Sequence, residues 1–212
     1  VVADGQPMRI VIRADAGHAI GTGHILRCHT LAEHFRSTGA RVAFICRPHQ
    51  GHLGDWLRQR GMQVFMLDEP DVDAGWVGAD WQRDADETQA VLENLARQWG
   101  GIDWLVVDHY QIDALWQKRM RPMVEQLMVI DDLADRRLSG EWLVDHNFHP
   151  DHGAKYAGLT PASMHMLAGP AFALTLRTKA VDVALSIGHD REGLLVLVGP
   201  DVQICLAGRY LI

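Results

Sequence analysis

The sequence predicts an α/β fold, a Rossmann-like and mostly parallel sheet flanked by helices. Short segments rich in Ile, Val and Leu alternate along the chain with segments whose apolar residues recur at helical spacing. Such alternation produces right-handed strand–helix–strand units. Polar side chains follow directly after several of the apolar segments, where parallel sheets bind their ligands. The 212 residues are enough for one large domain or for one and a half smaller ones.

Six strands are predicted from alternating or continuous apolar character, over residues 9–14, 41–46, 63–67, 104–107, 127–130 and 142–144. Four helices are predicted between them. One begins at Gly23 and stops at Gly39, and the others cover 53–60, 80–99 and 113–121, where Pro122 interrupts the pattern. Residues 69–79 are acidic and contain glycine, which is typical of a loop.

The chain divides into four predicted parts. Residues 1–7 form an extension, because the patterned sequence starts at Met8. Residues 8–175 form the Rossmann-like domain. Residues 176–193 carry charges and Gly188 and are predicted to be a linker. Residues 194–212 are predicted to be the truncated start of a second α/β domain, and the apolar run LLVLV over 194–198 is predicted to be its first strand.

Composition argues against several classes of protein. The formal net charge of −7 disfavours a nucleic-acid partner held mainly by phosphate contacts. No apolar stretch approaches the roughly 20 residues that cross a bilayer, so no membrane insertion is expected. The three cysteines lack a Cys-x-x-Cys pair, which is typical of buried thiols in a reducing cytoplasm. No feature predicts the oligomeric state.

The glycine-containing turn after the first strand is the strongest candidate for a binding site. Gly21 and Gly23 precede the predicted helix, so backbone N–H groups and a helix N-terminus can approach a ligand. Position 26 is Leu, so the turn lacks the third glycine of a dinucleotide fingerprint, and no Gly-Lys-Ser/Thr follows as in a P-loop. By itself the pattern also fits a simple tight turn.

His24 is the candidate catalytic residue of this turn. The partial positive charge at a helix N-terminus disfavours imidazolium, so a neutral ring able to accept a proton is expected near pH 7. Asp15, across the turn, is the expected partner that orients the ring. The alternative is a capping or solvent-facing histidine.

Polar groups at the ends of later strands form the rest of the expected site. Asp108, His109 and Tyr110 end one strand, the pair Asp131-Asp132 ends the next, and Asn147 follows the last. These groups are suited to bind sugar hydroxyls or to position a water molecule. The alternative is that Asp108 caps the following helix and Tyr110 packs in the core.

No metal site and no cofactor are expected. His146, His149 and His152 lie three residues apart, but they occupy a segment with Pro, Gly and Asp and no cysteine. A serine hydrolase is also disfavoured, because the sequence contains no Gly-x-Ser-x-Gly.

Taken together, these motifs resemble the nucleotide-sugar hydrolases of pseudaminic-acid biosynthesis, which are related to glycosyltransferases of the B type with two facing Rossmann-like domains. The resemblance covers roughly residues 8–174 in family order. It is carried by Arg13-Ala14-Asp15, the run Ile20–Arg27 (IGTGHILR), Asp108-His109-Tyr110, Asp131-Asp132, Asn147 with Tyr156, and the run Gly169–Leu174 (GPAFAL).

The resemblance implies the release of UDP from a UDP-diacetamido-trideoxy-altrose by water, with inversion at the anomeric carbon, in a pathway to bacterial surface glycans. His24 would activate the water and Tyr110 would shape the catalytic pocket. Substrate contacts would come from Asp15, Gly21, Gly23, Arg27, Asp108, His109 and Asn147. The relatives continue into a full C-terminal domain that holds most of the uridine and diphosphate contacts.

Two alternatives remain open at this point. A glycosyltransferase of the same fold would use a nucleotide-sugar donor and an acceptor alcohol in place of water. An inactive, truncated binding domain would bind the nucleotide sugar without turnover.

Overall fold

The computed structural model describes residues 6–71, 75–77, 79–174, 186–189, 194–199 and 202–207. Most of the extension predicted over 1–7 therefore lies outside the described residues. The main element is a seven-stranded sheet in which all neighbouring strands are parallel. Its strands are β1 (Arg9–Ala14), β2 (Arg41–Cys46), β3 (Gln63–Met66), β4 (Trp104–Asp108), β5 (Gln126–Ile130), β6 (Trp142–Asp145) and β7 (His165–Ala168). The predicted Rossmann-like parallel sheet is confirmed.

The helices also match the sequence pattern closely. They are α1 (Gly23–Ser37), α2 (Gly54–Gln59), α3 (Trp81–Trp99), α4 (Ala114–Met120) and the short α5 (His152–Lys155). Side chains fix two of the starts, because Asp80 accepts a hydrogen bond from the backbone N of Arg83 and Asp113 accepts one from that of Leu115. A 3₁₀ turn with Pro122 follows α4 and prevents the helix from continuing.

The strand order, β3-β2-β1-β4-β5-β6-β7, reverses direction at β1. Chain order runs outward through β2 and β3 on one side, then returns to β4 on the other side of β1. This reversal is a topological switch point, where the loops after β1 and β4 separate and leave a crevice. The turn before α1 and the end of β4 are therefore brought to the same place.

Alternation along β1 divides the core between the two faces of the sheet. Ile10, Ile12 and Ala14 pack in a cluster with residues of α1. Val11 packs in a second cluster with residues of α3 and α4. Arg13 shares the parity of Val11 and is fully buried, so it lies on the α3 face of the sheet.

Within residues 8–174, the sequence pattern does not predict β7 or α5. β7 reads HMLA and has no β-branched residue, and α5 is a single turn, so neither carries a periodic signal. A separate antiparallel sheet comprises β8 (Ser186–His189), β9 (Leu194–Gly199) and β10 (Val202–Ala207). β9 matches the strand expected at 194, and β8 lies within the segment predicted as linker, whose other residues lie outside the described ranges. The division of the chain into domains stays a prediction.

Candidate functional site

The turn between β1 and α1 positions the first part of the site. The backbone N of Gly21 donates to the carbonyl of Gly17 at 2.7 Å, and the N of Gly17 donates back to the carbonyl of Gly21 at 3.3 Å. Gly21 has a φ of +84°, which favours glycine. Thr22, at the N-cap of α1, makes no side-chain cap hydrogen bond, so the first N–H groups of the helix are not capped by that side chain. His24 lies in the first turn of this helix.

His24 is paired with the carboxylate of Asp108 at the end of β4. Nδ1 of His24 lies 2.6 Å from Oδ1 of Asp108, and both side chains are buried. Arg27, one turn further along α1, binds the same carboxylate through Nε and Nη2, each at 2.5 Å. The thiol of Cys28 lies 3.4 Å from Oδ2 of Asp108. The predicted site residues His24, Arg27 and Asp108 are thus brought together.

Asp108 is held in its ionised form. Burial by itself would raise its pKa, but the hydrogen bonds and charge of Arg27, with the hydrogen bond of His24, hold the pKa far below its usual range. Because an ionised carboxylate only accepts hydrogen bonds, Nδ1 of His24 must carry the hydrogen of this pair. Whenever the ring is neutral, this assignment leaves Nε2 as the nitrogen that accepts a proton, which is what a general base needs.

Tyr110 forms a wall beside the imidazole. Its ring meets that of His24 edge to face, with centroids 4.5 Å apart and an interplanar angle of 77°. Burial and a hydrogen bond with the carboxylate of Asp132 raise the pKa of Tyr110 to about 12. The phenol is therefore protonated at neutral pH, and it donates its hydrogen to Asp132 rather than acting as a base.

Asp15 does not orient His24, and that expectation is wrong. Its Oδ1 accepts from Nη1 of Arg13 at 2.6 Å and from the backbone N of Arg47 at 2.7 Å. The physical reason is alternation, because Asp15 shares the parity of Arg13 and hence the α3 face. On β4, Trp104 and Val106 belong to the core on the α1 face, so Asp108 shares that face with His24.

Asp15 is nevertheless ionised. Burial opposes the charge, but the guanidinium of Arg13 and the nearby imidazoles of His109 and His49 hold its pKa well below the usual range. Its Oδ2 lies 3.4 Å from Nε2 of His109 and 3.7 Å from Nε2 of His49. Among the described residues this oxygen has no hydrogen bond of normal length.

His109 connects β4 to the segment before α3. Its Nδ1 accepts from the backbone N of Gln111 at 3.1 Å, so Nε2 carries the hydrogen and faces the carbonyl of Trp76 at 3.3 Å. Contacts of Asp15, Asp108 and His109 with a substrate stay predictions. In the structure all three are buried and support the residues around them.

A buried ionic cluster of Asp84, Arg13 and Arg47, which the sequence pattern does not predict, lies on the α3 face of the sheet. Asp84 of α3 binds Nη2 of Arg13 at 2.7 Å and Nη2 of Arg47 at 2.9 Å. Its other oxygen accepts from Nε1 of Trp116 at 2.9 Å. The cluster joins β1, the end of β2, α3 and α4. The only sequence signal for this cluster is the position of Arg13 in β1, which places its charge on the same buried face as Val11.

Further polar groups follow β5 and β6. The amide of Asn147 donates to Oδ2 of Asp132 at 2.7 Å, and Asn147 is exposed. His146 was not predicted as a site residue, yet burial and the charge of Arg27 lower its pKa. Its buried Nδ1 has no hydrogen-bond partner in the described part of the chain. Asp132 and His146 thus join the predicted residues at this edge.

Tyr156 lies beneath this edge and joins the ends of β5 and β6. Its hydroxyl donates to the carbonyl of Asp131 at 2.9 Å and lies 3.2 Å from Oδ2 of Asp145. Lys155 donates to the same oxygen of Asp145 at 2.6 Å. These contacts fasten α5 to the ends of β5 and β6.

Within the described ranges, no group of three or more His, Cys, Asp or Glu side chains is arranged to hold a metal ion. His152 instead contacts the carbonyl of Asn147 at 3.0 Å, and the rings of His149 and His152 meet edge to face at 5.6 Å. None of the described helices combines the length and apolar character of a bilayer-spanning segment.

Fold and site together define a Rossmann-like α/β protein with an imidazole–carboxylate pair at the switch point of its sheet. The structure is similar to the crystal structure of MurG from Acinetobacter baumannii, with a TM-score of 0.51 and 12% sequence identity. The match covers 76% of this chain but only 45% of MurG, so the chain spans under half of that protein. At this identity the likeness shows the fold alone. The sequence matches no family model and no curated protein.

Proposed function

We propose that the chain is the N-terminal catalytic domain of a nucleotide-sugar hydrolase. The observation that carries this proposal is the 2.6 Å contact between His24 and Asp108 at the switch point. It provides a basic ring nitrogen oriented by a buried, ionised carboxylate. The likeness to MurG supports the glycosyltransferase-B class of fold, and the sequence resemblance supports hydrolysis over transfer.

In the proposed reaction, Nε2 of His24 takes a proton from water as the water oxygen bonds to the anomeric carbon. The bond from that carbon to the phosphate oxygen breaks on the opposite face, and UDP leaves with the bonding electrons. The configuration therefore inverts. Asp108 stabilises the imidazolium that forms, as a carboxylate does in other histidine-based sites. UDP is a good leaving group and needs no protonation by the enzyme.

The proposed substrate is UDP-2,4-diacetamido-2,4,6-trideoxy-β-L-altropyranose. Gly21, Gly23 and Asn147 are exposed at the same edge, and their backbone or amide groups are available for substrate contacts. Tyr110 would exclude bulk water from one side of the reacting carbon. The buried carboxylate of Asp108 also favours the positive charge that develops on the sugar.

The experiment is UDP release from this nucleotide sugar in the absence of any acceptor, followed by phosphorus NMR for UDP and proton NMR for the anomer first formed. His24→Phe should abolish release, whereas His34→Phe, at the far end of the same helix, should not. The proposal is supported if the wild type and His34→Phe release UDP and the inverted anomer and His24→Phe does not.

Two outcomes would identify the alternatives. If UDP appears only after an acceptor alcohol is added, the chain is a glycosyltransferase. If the nucleotide sugar binds but no UDP appears under either condition, the chain is a binding domain. Equal UDP release by wild type and His24→Phe would remove His24 from the mechanism.

A further inference from the structure

A cavity of about 410 Å³ lies next to the candidate site and takes no part in the proposed proton transfer. We name it the turn cavity, because the residues of the glycine-containing turn form one of its walls. Its lining includes Ala19, Ile20, His49, Gln50, Pro70 and Trp76. Its volume falls in the range of small-ligand sites, about 300–1,000 Å³.

Trp76 connects the turn cavity to the catalytic residues. Trp76 lines the cavity, and its ring lies 6.1 Å, centroid to centroid, from the ring of Tyr110. The ring of Tyr110 in turn lies 4.5 Å from that of His24. A sugar whose anomeric carbon is near His24 can therefore direct one ring substituent past Tyr110 into the cavity.

Two hydrogen bonds with residues that follow β4 hold the segment containing Trp76 in place. The backbone N of Val77 donates to Oε1 of Gln111 at 2.7 Å, and Nε2 of His109 donates to the carbonyl of Trp76 at 3.3 Å. Both supports follow β4, the strand that also ends in Asp108. Residues at the end of β4 therefore hold both the Trp76 wall of the cavity and the carboxylate that pairs with His24.

The lining combines apolar walls with a few polar groups. Ala19, Ile20, Pro70 and the indole of Trp76 are suited to a small apolar group such as a methyl. Gln50 offers an amide. His49 also lines the cavity, and its Nε2 is buried without a hydrogen bond among the described residues. Buried polar atoms of this kind gain from a ligand with its own donor and acceptor.

We infer that the turn cavity binds an acylamino substituent of the sugar and makes Trp76 a specificity-determining residue. An acylamino group has a methyl for the apolar walls, and an N–H and a carbonyl for the polar groups. A hydroxyl would leave the walls uncovered, and an alkyl group would leave the polar atoms unsatisfied. This inference rests on the proposed function, which it deepens by assigning one part of the substrate to one part of the site.

The first test measures whether a larger cavity accepts a larger acyl substituent. UDP release is measured for paired nucleotide sugars that carry N-acetyl or N-butanoyl groups. The wild type should prefer N-acetyl, and Trp76→Ala should shift the ratio of kcat/KM values toward N-butanoyl by about tenfold or more. Trp76→Phe should shift it less. Trp81→Ala removes an indole outside the cavity and should leave the ratio unchanged. UDP release with the same ratio in Trp76→Ala and wild type would overturn the inference.

The second test does not depend on hydrolysis. Saturation-transfer NMR on the free N-acetyl sugar should show the strongest saturation on the acyl methyl, and Trp76→Ala should lose that enhancement. Uniform saturation over the sugar, or an enhancement that persists in Trp76→Ala, would overturn the inference. Methyl saturation without UDP release would leave the cavity assignment supported and contradict the hydrolase proposal, so the two failures are distinguishable.

Discussion

Nδ1 of His24 lies 2.6 Å from Oδ1 of Asp108, although 84 residues separate them in the chain. Two features of the sheet create this contact. The register of β1 and β4 pairs Ala14 with Asp108, which brings the end of β4 beside the end of β1. The alternation of β4 then turns the carboxylate to the face on which α1 packs. A histidine in the first turn of α1 therefore has its tautomer and orientation fixed by a strand that lies much further along the chain.

Asp108→Asn should lower kcat by a factor on the order of 10² to 10⁴ with little change in KM, because the amide stabilises imidazolium poorly and permits the wrong tautomer. Steady-state UDP release with the proposed substrate is the measurement, and circular dichroism checks the fold. Asp113→Asn keeps an N-cap residue on α4 and serves as the control. A kcat within threefold of wild type for Asp108→Asn would mean that the carboxylate does not act through His24.

Arg27→Met should destabilise the chain by about 3 kcal/mol at neutral pH, because a buried carboxylate loses its bidentate partner. Without the guanidinium, the effect of burial on Asp108 is less opposed, so the pKa of that carboxyl rises from its lowered value. The folded variant then takes up a proton before the folded wild type does as the pH falls. The stability deficit should therefore be largest near neutral pH and shrink on acidification.

Urea unfolding midpoints of wild type and Arg27→Met, at about pH 7 and about pH 4.5, measure this deficit. Arg27→Lys keeps the charge without the planar fork and should recover part of the stability. A deficit that stays constant or grows as the pH falls would show that Arg27 acts through packing rather than through the ionised form of Asp108.

Much of the fold follows from the sequence because its strands are apolar and its helices have clear ends. β1 and β2 have the predicted bounds, and the last residue of α3 is followed by a left-handed glycine, Gly100. The position of His24 also follows, since a glycine-containing turn after a strand specifies where the helix begins.

The partner of His24 was not predicted from the sequence, although the alternation of side chains along β1 and β4 indicates which aspartate faces it. Asp15 is nearer in sequence, but parity places it with Arg13 on the opposite face, whereas Asp108 shares parity with Val106 on the α1 face. The ion pairs of Asp84 were missed for another reason. They join side chains up to 71 residues apart, and no local pattern distinguishes a buried aspartate on a helix from an exposed one.

Asp84→Ala should cost about 3 to 5 kcal/mol of unfolding free energy, because it leaves the buried guanidinium groups of Arg13 and Arg47 without their shared carboxylate. Asp86→Ala is the matched control on the same helix. Asp86 pairs with Arg119 at the surface, where such a pair contributes about 0 to 1 kcal/mol. Urea unfolding of both variants is the measurement. Equal losses of stability would show that burial of the cluster has no energetic consequence.

Gly21 and Gly23 differ in what an added methyl group would do. Gly21→Ala should cost about 1 to 2 kcal/mol, because alanine is strained at a φ of +84°. Gly23 begins α1, and a Cβ there meets no described atom within 4 Å, so Gly23→Ala should leave stability unchanged or slightly higher. If substrate lies against the uncapped start of α1, the methyl of Gly23→Ala should still raise KM several-fold. Thermal unfolding and UDP-release kinetics, measured on both variants, separate the two effects. An unchanged KM in Gly23→Ala would place the substrate away from the helix start.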